Sequence, residues 1–264
     1  MSRKYNLIVE HTPPPGNILF KSSRKPALTK IDLSSNSKFV VYDQGYIGSC
    51  TANALSSAYQ FENSGVSPSR LFLYYNERML DGGDISEDDG STLSCGIRVL
   101  QSYGVCQENY WPYKEEKYTI KPPKAAYTNA KLNRAVSVAR VTPTLNGMKA
   151  CLAAGIPFVF GFKVYSPFES DAVARTGMVP MPTRKDKSLG GHAVLCVGYD
   201  DSTQYFKVLN SWGPNWGDRG YFYLPYAYMT NTSLVSDLWA IKTVTAAAKL
   251  VHHSGFKSPR GILQ

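Results

Sequence analysis

The spacing of the hydrophobic residues changes once along this chain, and that change restricts the possible fold more than any other feature. Up to residue 155 the apolar residues recur every three to four positions, which predicts helices over 50–65, 68–83, 90–104 and 145–155. From Pro157 onward they alternate, as in "PFVFGFKVY" and "GYFYLPY", which predicts strands. Helices before strands predict an α+β protein in which a helical lobe faces a sheet lobe.

The segment "GGHAVLCVGYDDSTQYFKVLNSWG" has the pattern of a β-hairpin. It contains two runs of alternating apolar residues joined by a polar turn. A last strand is predicted for "DLWAIKTV". These strands would form most of the sheet lobe.

The two ends of the chain differ in composition from the part between them. Residues 1–27 are polar and include "TPPPG", which favours an extended polyproline conformation, so we expect an N-terminal arm. Residues 28–243 are expected to form the folded domain, with the helical lobe at about 43–135 and the sheet lobe at about 136–243. Residues 244–264 lose all periodicity and are expected to form a flexible basic tail.

Composition and charge exclude several functional classes. The chain has 264 residues, of which 43% are hydrophobic, enough to bury a sizeable core. Its net charge is +9, but the Lys and Arg residues are scattered, so we expect no nucleic-acid partner. The start, "MSRKYNLIVEHTPPP", lacks the apolar stretch of a secretory signal, and no apolar run is long enough for a membrane span. We therefore expect an intracellular monomer, cytoplasmic or virion-associated.

The cysteines indicate a protein with a functional thiol. They are odd in number and spread along the chain, at Cys50, Cys95, Cys106, Cys151 and Cys196. No two of them form a C-x-x-C pair, so we expect no zinc site, no other metal and no cofactor. An intracellular, reduced protein fits this pattern best.

One cysteine has the surroundings of a nucleophile. Cys50 follows the glycine-containing "DQGYIGSC" and opens the first predicted helix, where unpaired N–H groups and the helix dipole favour the thiolate. A thiolate nucleophile needs a base, and of the four histidines only His192 lies inside a predicted ordered element. We therefore expect Cys50 and His192 to act as a pair.

Asn210 and Gln44 supply the other polar groups of such a site. The predicted hairpin brings Asn210 close to His192, where it can fix the tautomer of the imidazole, and Trp212 can cover their hydrogen bond. The amide of Gln44 and the backbone N–H of Cys50 can together stabilise an oxyanion. Each residue alone has a structural explanation, as a buried thiol, a structural histidine or a core amide. Their joint order and spacing favour the chemical explanation.

Three blocks of the sequence resemble the papain family of cysteine proteases: "DQGYIGSC", "GGHAVLCVGYD" and "NSWGPNWGDRGYFYLPY". The resemblance implies a two-lobed fold with a helical N-terminal lobe, an antiparallel β-sheet or barrel lobe, and an active-site cleft between them. It also implies a cysteine endopeptidase that forms an acyl-enzyme with a polypeptide substrate. Cys50 would be the nucleophile, His192 the general base and acid, Asn210 its orienting partner and Gln44 the oxyanion donor.

The chain departs from the family pattern at several positions. Ile47 stands where the family usually has a disulfide-bonded cysteine, and Thr51 where it usually has tryptophan. The block "DDGSTLSCG" replaces Cys-Asn-Gly-Gly. These departures resemble the disulfide-poor, xylellain-like bacterial and viral branch. The resemblance implies a substrate site with a pocket for an apolar side chain at Thr92, Leu93 and Ala193; the whole site would comprise Gly48, Gly90, Ser91, Thr92, Leu93, Ala193 and Trp212.

The role of the arm and two other functional classes stay open. Papain relatives generally carry an N-terminal segment that lies through the cleft, so the resemblance implies that residues 1–27 inhibit the enzyme, as in a zymogen. Alternatively, the arm packs on the sheet lobe or hangs free.

A catalytically weak papain-like binding protein would lack a catalytic residue, and none is missing. A Cys–His acyltransferase would favour Asp at position 210 over the Asn210 found here.

Overall fold

The computed structural model describes residues 3–10, 18–20, 28–36, 39–135 and 137–242. The expected basic tail at 244–264 lies outside the described residues, as do parts of the expected arm.

Four of the seven α-helices in the described residues correspond to helices that the sequence predicts. Each of these four is shorter than its prediction, and α2 ends at Gly82, which has a left-handed conformation with φ +75°. The helices are α1 (Cys50–Glu62), α2 (Arg70–Asp81), α3 (Leu93–Ser102), α4 (Lys124–Ala130), α5 (Leu145–Ala153), α6 (Asp171–Thr176) and α7 (Tyr226–Met229).

The strands form one sheet that supports the second lobe. They are β1 (Ile18–Leu19), β2 (Lys30–Asp32), β3 (Ser137–Arg140), β4 (Phe158–Tyr165), β5 (Ser188–Asp200), β6 (Tyr205–Leu209), β7 (Tyr221–Pro225) and β8 (Val235–Lys242). Their order is β1-β3-β8-β4-β5-β6-β7, and β2 pairs with β5. All pairs are antiparallel except β1 with β3. The predicted hairpin is present as β5 and β6.

Strand β5 separates two buried clusters because its side chains alternate between the faces of the sheet. Ala193 and Leu195 belong to the cluster that contains α1, α2 and α3. Val194 and Cys196 belong to the cluster of the sheet lobe, which is rich in phenylalanine. The α+β, two-lobed prediction is therefore confirmed, and β5 lies where α1 meets the sheet.

Candidate active site

Cys50 is the first residue of α1, as the sequence predicts, and it is fully buried. Burial raises the pKa of the Cys50 thiol to about 12, although the backbone N–H groups of Ala193 and Thr51 oppose that rise. The helix terminus by itself would favour the thiolate. In this arrangement the loss of solvent outweighs that effect, so Cys50 is a neutral thiol.

His192 lies in β5 and forms a hydrogen bond with Asn210, which follows β6. The distance from His192 Nε2 to Asn210 Oδ1 is 2.8 Å. The backbone N–H of Ser211 donates to the same Oδ1 at 2.9 Å, which identifies this atom as the amide oxygen. An oxygen accepts, so neutral His192 carries its proton on Nε2. Nδ1 then keeps its lone pair, and it has no hydrogen-bond partner among the described residues.

Aromatic rings enclose the pair formed by His192 and Asn210. The Trp212 ring lies 5.4 Å from the imidazole, centroid to centroid, with 30° between the planes. Phe162 and Tyr5 lie edge-on at 5.8 and 6.1 Å. Burial lowers the pKa of His192 to about 4, and the hydrogen bond with Asn210 opposes this shift. The imidazole is therefore neutral at neutral pH.

Hydrogen bonds hold the buried side chain of Gln44 in one orientation. Ser211 Oγ donates to Gln44 Oε1 at 2.6 Å, and Gln44 Nε2 donates to the carbonyl oxygen of Ile47 at 3.1 Å. An amide carries two hydrogens on nitrogen, so one is left after the bond to Ile47. This remaining N–H, close in the chain to Cys50, is a donor of the kind that an oxyanion hole requires.

Residues 3–8 of the arm run through the cleft as an extended segment. The backbone N–H of Leu7 donates to the carbonyl of Gly191 on β5 at 3.0 Å. The backbone N–H of Ile8 donates to the carbonyl of Ser91, before α3, at 3.1 Å. The arm therefore bonds to both lobes, and the ring of its Tyr5 contacts the imidazole of His192.

Glycines on both walls of the cleft make room for this segment. A Cβ on Gly48 would lie 2.9 Å from Cβ of Asn6, and a Cβ on Gly90 would collide with the carbonyl of Asn6. On the opposite wall, a Cβ on Gly191 would lie 2.8 Å from the carbonyl oxygen of Leu7. Gly48 and Gly90, both predicted to bind substrate, thus lie against residue Asn6 of the arm.

The side chain of Leu7 enters a pocket of the cleft. It is 7% exposed and belongs to the same buried cluster as Leu93 and Ala193, two of the predicted pocket residues. A Cβ on Gly161 would lie 2.5 Å from Leu7 Cδ2 and 3.2 Å from Ser236 Oγ. The sequence analysis did not find Gly161 or Ser236, because no motif marks them.

Thr92, the third predicted pocket residue, uses its hydroxyl within its own helix. Thr92 Oγ1 accepts a hydrogen bond from the backbone N–H of Cys95 at 3.0 Å and so caps the N-terminus of α3. The Thr92 hydroxyl also lies 3.4 Å from Ser94 Oγ, so both of these hydrogen bonds are within its own segment.

Ion pairs attach the arm to the helical lobe. Lys4 Nζ lies 2.7 Å from Asp88 Oδ2, and Arg3 Nη1 lies 2.7 Å from Asp43 Oδ1. The guanidinium of Arg3 also lies 5.4 Å from the centre of the Trp212 ring. The positive charge of the arm thus meets carboxylates on one wall of the cleft.

Three polar residues of the site were missed by the sequence analysis: Ser211, Asp88 and Glu77. Ser211 follows Asn210 directly, so the "NSWG" block carries a signal that could have found it. Asp88 belongs to the "DDGS" segment, which departs from the family pattern. Glu77 lies within a helical pattern and has no local signal.

Other kinds of site have no support in the described part of the chain. Its five cysteines are free and buried, and no group of three or more His, Cys, Asp or Glu residues is placed to hold a metal ion. None of the described helices is long and apolar enough to cross a membrane.

Comparison with known proteins gives concordant matches. The family model described as "Papain family cysteine protease" matches residues 29–240. An uncharacterized peptidase C1-like protein of Acanthamoeba polyphaga mimivirus is 44% identical over 217 residues, which are 77% of this chain and 70% of the viral protein. A cathepsin B-like protein of Giardia intestinalis is 32% identical over 69% of this chain and 62% of its own length. The crystal structure of xylellain, a cysteine protease from Xylella fastidiosa, is 40% identical with a TM-score of 0.85, and the match covers 92% of this chain and 98% of that one.

Proposed function

Because this chain belongs to the papain family of cysteine proteases, we propose that it cleaves peptide bonds through an acyl-enzyme on Cys50, with His192 as general base and acid. The observation that carries this proposal is the bond from His192 Nε2 to Asn210, which leaves Nδ1 as the basic atom in a cleft that also contains the thiol. We also propose that residues 28–243 form the peptidase domain and that the arm inhibits it.

The proposed reaction has two halves with His192 in opposite roles. Nδ1 of His192 takes the proton of the Cys50 thiol, and the thiolate attacks the carbonyl carbon of the substrate. The imidazolium then donates that proton to the leaving amine as the C–N bond breaks, which leaves a thioester. In the second half His192 removes a proton from water, the resulting hydroxide attacks the thioester, and the proton returns to Cys50. Asn210 keeps the ring in the tautomer that both steps require.

Negative charge develops on the carbonyl oxygen in both halves. The free N–H of Gln44 and the backbone N–H of Cys50 are the proposed donors for that oxygen. Gln44 supports this role because Ser211 and Ile47 hold its amide before substrate arrives. A donor fixed in advance does not have to reorganise in the transition state.

Two observations support inhibition by the arm. Residues 3–8 occupy the cleft between the walls where a substrate would have to lie. The covered pair is also in an unreactive form, since burial raises the pKa of Cys50 and lowers that of His192. The charge of Arg3 lowers the pKa of His192 further and so opposes formation of an imidazolium.

The pocket filled by Leu7 supports a preference for an apolar substrate side chain. Gly161 leaves space for the Leu7 side chain, and the apolar residues Leu93 and Ala193 belong to the same buried cluster. We propose that a substrate places an apolar side chain there, two residues before the cleaved bond.

The test compares the full chain, a variant that begins at Pro26, and the same variant with Cys50→Ala. The substrate is a fluorogenic peptide with leucine two residues before the cleaved bond. We expect slow cleavage by the full chain, faster cleavage by the shortened variant and none by Cys50→Ala. A synthetic peptide of residues 1–27 should inhibit the shortened variant.

Two outcomes would contradict parts of this proposal. Equal rates for the full and shortened chains, both folded, would remove the inhibitory role of the arm. Failure of the folded, shortened variant to cleave any member of a peptide library would favour a papain-like binding protein.

A further inference from the structure

Arg70, the first residue of α2, is a mostly buried cation that bonds to the loop 43–49. Its side chain is 11% exposed. The guanidinium lies 4.4 Å from the centre of the Tyr42 ring and 3.9 Å from that of the Tyr113 ring, distances at which a cation is attracted to an aromatic face. The carboxylate of Glu108 is 3.8 Å from Nη2. Two rings and a carboxylate therefore fix the guanidinium in one place.

Arg70 and Tyr113 hold the main chain around Gln44. Arg70 Nη1 donates to the carbonyl of Asp43 at 3.0 Å, and the Tyr113 hydroxyl donates to the carbonyl of Gln44 itself at 2.7 Å. The backbone N–H of Gln44 donates to the carbonyl of Ser211 at 2.9 Å. Both peptide groups that flank the Gln44 side chain thus have partners outside the loop.

The same two residues reach the other end of the loop. Arg70 Nη1 also donates to Asn53 Oδ1 at 3.1 Å, and Asn53 Nδ2 donates to the carbonyl and the hydroxyl of Ser49 at 2.9 and 3.0 Å. The hydroxyls of Ser49 and Tyr113 lie 2.7 Å apart. Because Ser49 is the residue before the nucleophile, this network connects both ends of the loop.

Within the described residues no disulfide holds this loop. Ile47 stands where papain relatives usually have a disulfide-bonded cysteine, and the five cysteines are free. A donor of an oxyanion hole has to be fixed in advance, because a mobile amide must reorganise during the reaction. The contacts of Arg70 and Tyr113 supply that rigidity without a covalent bond.

We propose that Arg70 and Tyr113 are positioning residues that hold the amide of Gln44 where the oxyanion forms. This inference rests on the proposed function and names the residues through which its oxyanion donor is oriented. Loss of an oxyanion donor lowers kcat by roughly 10²–10³, so a loosened donor should cost part of that, about tenfold. KM should change little, because the oxyanion develops only in the transition state.

The test measures how far Gln44→Ala lowers kcat in three backgrounds. All proteins are the full chain with Leu7→Asp, which removes the apolar anchor of the arm. The first background has no other change, the second carries Arg70→Met and the third carries Arg78→Met. The substrate is the fluorogenic peptide with leucine two residues before the cleaved bond.

Arg78 is the matched control because its surroundings are of the same kind. It lies on the same helix and is 2% exposed. Its guanidinium lies 4.4 and 4.9 Å from the centres of the Tyr74 and Tyr118 rings. It donates to the carbonyls of Ile85 and Glu87, so it holds a different loop.

We expect the effect of Gln44→Ala on kcat to shrink by about tenfold after Arg70→Met and to stay the same after Arg78→Met. Arg70→Lys keeps the charge but not the planar fork, so it should restore part of kcat. An equal effect of Gln44→Ala in all three backgrounds would overturn the inference alone, since Arg70 would then not act through Gln44. Cleavage of no peptide by the Leu7→Asp protein would contradict the proposed function.

A second variant covers the case in which Arg70→Met does not fold. Tyr113→Phe removes the hydroxyl that bonds to Gln44 and keeps the ring beside the guanidinium. It should lower kcat by about fivefold with little change in KM, and Gln44→Ala should then cost correspondingly less. Losses in kcat that simply multiply when Tyr113→Phe and Gln44→Ala are combined would overturn the inference.

Discussion

Ser211 connects the two polar groups that the proposed chemistry needs. Its Oγ donates to Gln44, and its backbone N–H donates to Oδ1 of Asn210. One residue therefore orients both the proposed oxyanion donor and the amide that fixes the tautomer of His192. The first of these links depends on the hydroxyl, whereas the second depends only on the backbone.

Substitutions at Gln44 and Ser211 should lower kcat to different extents. Gln44→Ala removes the oxyanion donor and should lower kcat by roughly 10²–10³ with little change in KM. Ser211→Ala leaves the amide in place but loose, so the loss in kcat should be smaller, and Ser211→Thr should restore part of it. Steady-state kinetics on the variant that begins at Pro26 measures these effects. An unchanged kcat in Gln44→Ala would exclude the oxyanion role.

Glu77 is a second residue whose properties depend on burial. It is fully buried, and its Oε2 accepts a hydrogen bond at 2.6 Å from Oγ1 of Thr51, the residue after Cys50. Its Oε1 has no partner in the described residues. Burial raises the pKa of Glu77 to about 8, and its negative charge would raise the pKa of Cys50. A neutral carboxyl at position 77 therefore leaves the pKa of Cys50 lower than an ionised carboxylate would.

The free energy of unfolding should depend on pH through Glu77. The pKa of Glu77 is higher in the folded state than in the unfolded chain. The stability that depends on its protonation is therefore fully present below about pH 4.5 and is lost as pH rises toward 8. Glu77→Gln keeps an acceptor for Thr51 and cannot ionise, so the Tm of this variant minus that of the unaltered protein should increase from pH 5 to pH 8. Thermal unfolding at several pH values tests this, with the exposed Glu116→Gln as control. A difference that stays constant with pH would contradict the assignment.

At the scale of elements, the N-termini of α1 and α3 differ in their capping. Thr92 caps α3 with its hydroxyl, whereas Ser49, at the corresponding position before α1, makes no such bond to the helix backbone. The hydroxyl of Ser49 is instead bonded to Tyr113 and Asn53. The first N–H groups of α1 therefore stay available for chemistry at Cys50, while those of α3 serve stability.

The cap of α3 should have a measurable effect on stability. Thr92→Ala removes the acceptor for the N–H of Cys95 and should lower the free energy of unfolding by about 1 kcal/mol. Thr92→Ser retains the hydroxyl and should lose much less. Urea unfolding of the three proteins at one pH provides the comparison; equal losses in both variants would indicate that the methyl group, not the cap, matters.

At the scale of the whole molecule, the arm and the thiol belong to one buried cluster in the cleft. Cys50 and His192 are both fully buried while residues 3–8 lie in the cleft. The other thiols are buried in the lobes themselves, so loss of the arm would leave them covered. Their pKa values are also raised by burial, to about 11 for Cys95 and about 12 for Cys106 and Cys151, and well above the usual value for Cys196.

Reaction with iodoacetamide should therefore report the position of the arm. In the full chain Cys50 should react slowly, because its pKa is about 12 and no solvent reaches it. In the variant that begins at Pro26 it should become the first thiol to be labelled. Mass mapping after one equivalent of reagent gives the site and rate. Rapid labelling of Cys50 in the full chain, or first labelling at another cysteine, would contradict this.

The sequence by itself determined the type and position of the main elements and the membership of the papain family. The start of α1 at Cys50 and the hairpin of β5 and β6 follow from residue spacing, which is a local property. The helices α4, α6 and α7 were not predicted, because they are short and their patterns are weak.

Only the tertiary structure decided the chemical state of the site and the contacts of its less obvious residues. Ser211 and Gln44 are 167 positions apart, and Lys4 and Asp88 are 84 apart, so no local pattern could pair them. The spacing at Cys50 favours a thiolate, but the arm and the lobes exclude solvent and keep a thiol. Desolvation depends on everything packed around a group, and that is known only when distant parts of the chain have come together.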